Sequence, residues 1–127
     1  PGESYIDKRR ASYMGRFSRD VKEMLTDYIR PQECGNRFGA EWMTLTDGAG
    51  GLRVASDGSF EFSALPYSIE ELGAAAHHYE LPAPSGTHLI LNYKQSGVGS
   101  GSCGPALAER HRLAEKEFTW ELTLRPF

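Results

Sequence analysis

Apolar and polar residues alternate with a period of two over residues 117–124, where Phe118, Trp120, Leu122 and Leu124 fall on one side and Glu117, Thr119, Glu121 and Thr123 on the other. Side chains of an extended chain point alternately to opposite sides, so this pattern predicts a strand with one face inside. The same period governs residues 38–46, with Ala40, Trp42, Thr44 and Thr46 against Glu41, Met43 and Leu45, a strand partly buried on both faces. The run Asp47-Gly48-Ala49-Gly50-Gly51 turns the chain into Leu52-Arg53-Val54-Ala55. Asp57-Gly58 is a two-residue hairpin signal, because both central positions of that turn need positive φ. Phe60, Phe62 and Ala64 then alternate with Glu61, Ser63 and Leu65, which predicts three antiparallel strands in a meander. Glycine (14) and proline (7) together exceed the roughly 12% of average usage, as frequent turns require.

Elsewhere the pattern changes. Ser68 predicts the cap of a short helix over residues 69–76, with Glu70 and Glu71 in its first turn and Ile69 and Leu72 sharing a face. Residues 87–93 read as a buried strand. The first third has no clean period, and short extended pieces or a turn of helix suit it equally. Residues 28–37 form a structured loop, since Pro31 removes a donor and Gly35-Asn36 suits left-handed backbone. About five strands and one short helix predict a mainly β, antiparallel domain, with two packed sheets and residues 1–127 as one unit.

A net charge of −3 and a pI near 5.8 fit no nucleic-acid partner, whose binders usually carry a basic face and a pI above about 9. Lys8-Arg9-Arg10 reads as a solvated or internally paired stretch. Apolar runs such as Leu89-Ile90-Leu91 are far short of the roughly 20 residues of a membrane span, so no membrane partner is expected. The two cysteines, Cys34 and Cys103, read as free thiols, although residues distant in sequence can meet in a fold. The compartment stays open, with the cytoplasm favoured.

Gly99, Gly101 and Gly104 spell GxGxxG after a hydrophobic strand. Too few residues follow Gly104 for the parallel strands and crossover helices of a dinucleotide site, so a flexible glycine loop is the plainer reading. His77, His78, His88 and His111 show no spacing that singles out a pair with Cys103 or a set of metal ligands, and no metal site is expected. Trp42, Trp120, Tyr67, Tyr79 and Tyr93 could stack on sugar rings, although at strand spacing aromatics are more often core.

Four blocks occur in a familiar order: Gly2-Glu3-Ser4-Tyr5-Ile6-Asp7-Lys8-Arg9, Tyr28-Ile29-Arg30-Pro31-Gln32-Glu33-Cys34-Gly35-Asn36-Arg37, Phe62-Ser63-Ala64-Leu65-Pro66-Tyr67-Ser68 and Gly97-Val98-Gly99-Ser100-Gly101-Ser102-Cys103-Gly104-Pro105. Together they resemble the C-terminal, small-chain β-sandwich domain (domain 5) of lacZ-type family 2 glycoside hydrolases, the bacterial β-galactosidases. The resemblance implies an antiparallel β-supersandwich of the galactose-mutarotase-like fold. It also implies a parent enzyme, multidomain and homo-oligomeric, that hydrolyses terminal β-D-galactosides with retention through two glutamates on a separate barrel domain. On this reading the chain holds no catalytic residue, and Pro1, with no Met, begins an excised piece of a longer protein. Its partners would be the catalytic barrel of the same chain and a β-galactoside at the domain edge. No cofactor is expected in this domain; parent enzymes of this kind commonly use Mg and Na in other domains.

The resemblance further assigns Gly99, Gly101, Ser102, Cys103 and Gly104 to a loop at the rim of the substrate site. Cys103 stands where similar members commonly carry a tryptophan that stacks on substrate. A thiol cannot replace an indole that buries on the order of 200 Å², so a different acceptor-side preference is expected. Arg37, Glu3, Tyr5 and Asp7 are expected to hold loops through a polar network. The alternatives are an autonomous carbohydrate-binding module and a mutarotase-like epimerase, which would need a His and Glu pair in one cleft.

Overall fold

The computed structural model describes residues 2–96, 101 and 103–127. Its centre is one long strand. Strand β1 (Arg37–Thr46) turns through residues 47–50 into β2 (Gly51–Leu65), which pairs with β1 along one edge. The turn is made by its own side chains: Asp47 Oδ1 accepts from the Ala49 and Gly50 amides at 2.9 and 3.0 Å, and Gly48 takes φ +93°. Along its other edge β2 is shared. β3 (His88–Asn92) pairs with residues 61–65 and β4 (Thr123–Pro126) with residues 52–55, all antiparallel.

The expected hairpin at Asp57-Gly58 is absent, and the two strands drawn on either side of it are one. Trp42 faces Ala55 while Ala40 faces Phe60, so residues 56–59 bulge out of β2 between them. Neither Asp57 nor Gly58 has the positive φ that a two-residue turn needs. The reason is length: the ten residues of β1 offer partners to both halves of β2, and the chain continues instead of reversing. A smaller bulge faces it at Gly39, whose φ of +70° adds one residue to β1.

The closing strand is also shorter than the alternation predicts. Only Thr123–Pro126 pairs; residues 117–122 run beside the bulge, where β2 has no ladder to extend. Trp120 and Leu122 still pack against Met43, Val54 and Phe60, but Phe118 and Leu124 are 55% and 53% exposed rather than inward. The helix α1 spans Ile69–Ala74. Ser68 Oγ accepts from the Glu71 amide at 3.1 Å, and Glu71 Oε2 accepts from the Ser68 amide at 2.8 Å, closing the capping box. Leu72 is buried; Ile69, on the shared face, is 43% exposed. Short 3₁₀ turns occupy Ile6–Ala11, which carries the exposed Lys8-Arg9-Arg10, and Val21–Glu23, His78–Glu80 and Glu109–His111.

Alternation along residues 60–65 divides the core in two. Phe60 joins Met43 and Val54 on one face of the sheet, with Leu89 and Leu91 beside them. Leu65, on the opposite face, packs with Cys34 and Leu72 under Met24, Leu25, Tyr28 and Tyr67. The domain is mainly β and antiparallel, as expected; the described residues form a single four-stranded sheet consistent with a β-sandwich domain. The N-terminal segment is pinned by Glu3, which accepts from Tyr28 Oη at 2.8 Å, the Gly35 amide at 2.9 Å and Tyr5 Oη at 3.3 Å. Arg37 serves the same region by donating to the Gly35 and Asn36 carbonyls, both at 3.0 Å, rather than to an acid.

Candidate functional site

The chain leaves the sheet after β3 at Tyr93 and returns before β4 at Phe118, where side chains of the two ends meet. The Tyr93 ring stacks on Phe118 with centroids 4.3 Å apart and planes 8° from parallel. Lys94 pairs with Glu115, and the Leu113 amide donates to Ser96 Oγ at 3.3 Å. That ion pair raises the Lys94 pKa and lowers that of Glu115. Gln95 Nε2 donates to Glu33 Oε1 at 2.6 Å, tying the departing end to the loop of residues 28–37.

Three of the expected rim residues are described. Gly101, Cys103 and Gly104 are exposed, and Gly101 takes φ +85°, where a side chain would strain the backbone. Gly99 and Ser102 lie outside the described residues. After Pro105 the only helical turn is the 3₁₀ turn Glu109–His111, so the helix of a phosphate-binding unit does not follow the glycines.

A second feature lies in the sheet itself. Where the two bulges face each other the sheet opens into a cleft of about 460 Å³, walled by Gly39, residues 56–59, Tyr93, Lys94 and residues 119–121. Glu61 forms part of its lining although only 2% exposed. Its Oε2 accepts from Asn36 Nδ2 at 2.6 Å, whereas Oε1 has no hydrogen-bond partner among the described residues. Burial pushes the Glu61 pKa up, against the opposing pull of Asn36, the nearby Gln95 amide and Lys94. The indole Nε1 of Trp120, another lining residue, is buried and equally unpartnered. Alternation alone reads Glu61 as an outward polar residue. A signal was available in its place between Phe60 and Phe62.

The remaining candidates are scattered. His77 Nδ1 lies 3.1 Å from Glu80 Oε1 and His88 Nε2 lies 3.8 Å from Glu71 Oε2; both are surface pairs and neither lines the cleft. Among the described residues no three His, Cys, Asp or Glu side chains converge as metal ligands. Cys34 is buried and Cys103 exposed, both as free thiols. The guanidinium carbons of Arg16 and Arg53 stand 5.3 and 4.9 Å from the Trp42 ring centroid. Tyr79 stacks on His77, and Tyr67 packs on the Leu65 core.

A family model described as beta galactosidase small chain matches residues 1–124. The chain is 40% identical over 116 residues to the β-galactosidase of Actinobacillus pleuropneumoniae, covering 91% of this chain and 11% of that protein. It is 37% identical over 129 residues to that of Priestia megaterium, covering 99% and 12%, and 35% identical over 128 residues to that of Kluyveromyces lactis, covering 98% and 12%. The chain therefore spans little more than a tenth of the length of the curated relatives it matches.

Proposed function

From a chain that belongs to the β-galactosidase small-chain family, we propose a non-catalytic C-terminal domain of a larger β-galactosidase, one that completes the rim of the active site and helps hold the subunit together. The observation that carries this reading is the surface. The chain exposes 9030 Å², whereas a free-standing monomer of 14.1 kDa exposes about 6,700 Å². An excess of that size is comparable to a large obligate interface, and the exposed Phe17, Phe118, Leu124 and Phe127 supply the apolar side chains such an interface buries.

The loop that reaches toward substrate lies between Tyr93 and Phe118, whose rings stack, and is exposed at Gly101, Cys103 and Gly104. The catalytic barrel of the same chain is its neighbour, with a β-galactoside between them. The two glutamates of the retaining reaction, and Mg and Na, belong to other domains, and the parent is a homo-oligomer.

Two measurements test the reading. The isolated chain should release no nitrophenol from nitrophenyl β-galactoside, and measurable release would sink it. In the longer enzyme, Cys103→Trp should change KM for lactose and for the nitrophenyl substrate by different factors, because an indole adds a stacking face on the acceptor side. Identical kinetics for both substrates would remove Cys103 from the rim.

A further inference from the structure

We infer, on the reading that the chain is one domain of a larger β-galactosidase, that the side of the sheet around Trp42 and the arm of residues 7–20 form one docking surface. Its occupant is a carboxylate-rich face elsewhere in the same polypeptide. Residues 8–22 carry six Lys or Arg and one acid, in a chain whose net charge is −3. Residues 7–20 are all exposed, Tyr13 by 85% and Met14 completely. No amide of residues 13–20 donates to another backbone group among the described residues. The arm meets the sheet at Trp42, where the guanidinium groups of Arg16 and Arg53 both lie against the indole. Arg125 sits directly opposite Arg53 in the ladder between β2 and β4, so a third cation belongs to the same side.

Like charges directly opposite across two strands repel, and so do two guanidinium groups over one ring. Among the described residues the ion pairs are His77 with Glu80, His88 with Glu71 and Lys94 with Glu115, so none neutralises these three arginines. A partner that brings carboxylates would, because the planar fork of arginine matches a carboxylate with two parallel hydrogen bonds. Tyr, Trp, Met and Arg are also the side chains enriched where proteins meet. A protein face fits better than a phosphate polymer, since Tyr13, Met14 and Phe17 add exposed apolar area that phosphates would leave wet. The same polypeptide is the source because the chain spans little more than a tenth of its relatives' length. A tethered face meets the surface at a high effective concentration that a free acidic protein lacks.

The test uses the intact longer enzyme, with hydrogen exchange read by mass spectrometry on peptides spanning residues 13–20. Exchange should be about tenfold or more slower than in a free peptide of the same sequence. Arg16→Glu together with Arg53→Glu should restore rapid exchange there while peptides of residues 51–65 stay protected. Should that variant unfold, its sheet peptides exchange too, and a second measurement decides. Arg16→Lys and Arg53→Lys keep the charge and supply amines for zero-length carbodiimide coupling. The expected products join a new amine to an Asp or Glu of the same polypeptide outside these 127 residues, at monomer mass on a denaturing gel. Rapid exchange over residues 13–20 in the unaltered enzyme overturns the inference, as does protection that survives the charge reversal or appears only when DNA is added. So does a coupling that is absent, confined to acids of this domain, or made to a second subunit. Each readout is a mass or an exchange rate, so failure of the rim reading, which rests on Cys103 and enzyme kinetics, is told apart from failure here.

Discussion

A carboxyl group only 2% exposed resists ionising, and Glu61 holds its proton to a higher pH than a solvated glutamate does because burial disfavours the charge. A raised folded-state pKa contributes stability that is present below the unfolded value, near 4.5, and is lost as pH rises through the folded one. Glu61→Gln keeps the oxygen that accepts from Asn36 and carries no charge. It should therefore unfold at higher urea than wild type at pH 7, with the advantage vanishing below about pH 4; an advantage constant with pH would show that charge burial is not its source. The thiols make the opposite contrast. Cys34 is 1% exposed, its pKa is pushed up by the same desolvation, and it is flanked by the Thr26 amide. Cys103 is exposed. A thiol reagent should modify Cys103 rapidly in the native chain and Cys34 only on unfolding, two well-separated phases by absorbance. Burial of Cys34 could not be read from composition, because its cover, Leu65 and Leu72, comes from residues far along the chain.

Among the elements, β2 departs furthest from the alternation. The sequence Asp57-Gly58 is a good turn in isolation, and a long neighbouring strand overrode it. Two glycines of β2 separate local preference from tertiary demand. At Gly51 a Cβ would meet the Leu45 carbonyl and the Phe127 ring, and its amide and carbonyl are both bonded to Phe127, at 2.9 and 3.0 Å. At Gly58 nothing lies within 4 Å and φ is not positive. Gly51→Ala should cost roughly 1–3 kcal/mol by denaturation. Gly58→Ala should be neutral or stabilise by up to about 1 kcal/mol through the unfolded chain. Equal costs would mean that the bulge is as constrained as the strand end. Where local chemistry completes an element, the reading succeeds: Ser68 and Glu71 make their capping box within four residues.

At the scale of the molecule, β2 is, among the described residues, the only strand that touches all the others, and it carries both cores. Phe60, with no exposed surface, anchors one of them. Phe60→Ala should cost about 3–5 kcal/mol, a large part of the 5–15 kcal/mol that holds a typical domain. Loss of β-sheet circular dichroism at room temperature is the expected result; a native spectrum with an unchanged midpoint would place the stabilising core elsewhere. The sequence by itself determined the mainly β, antiparallel class, the helix cap and, through four ordered blocks, the family, because period-two alternation, turn chemistry and motif order are properties of neighbouring residues. Only the tertiary structure decided that two predicted strands are one, that Phe118 and Leu124 are exposed, and that Glu61 and Trp120 share a cleft. Those outcomes depend on which strand edge has a free ladder and on which residues far apart in the chain meet there, a competition among distant partners that no local pattern records.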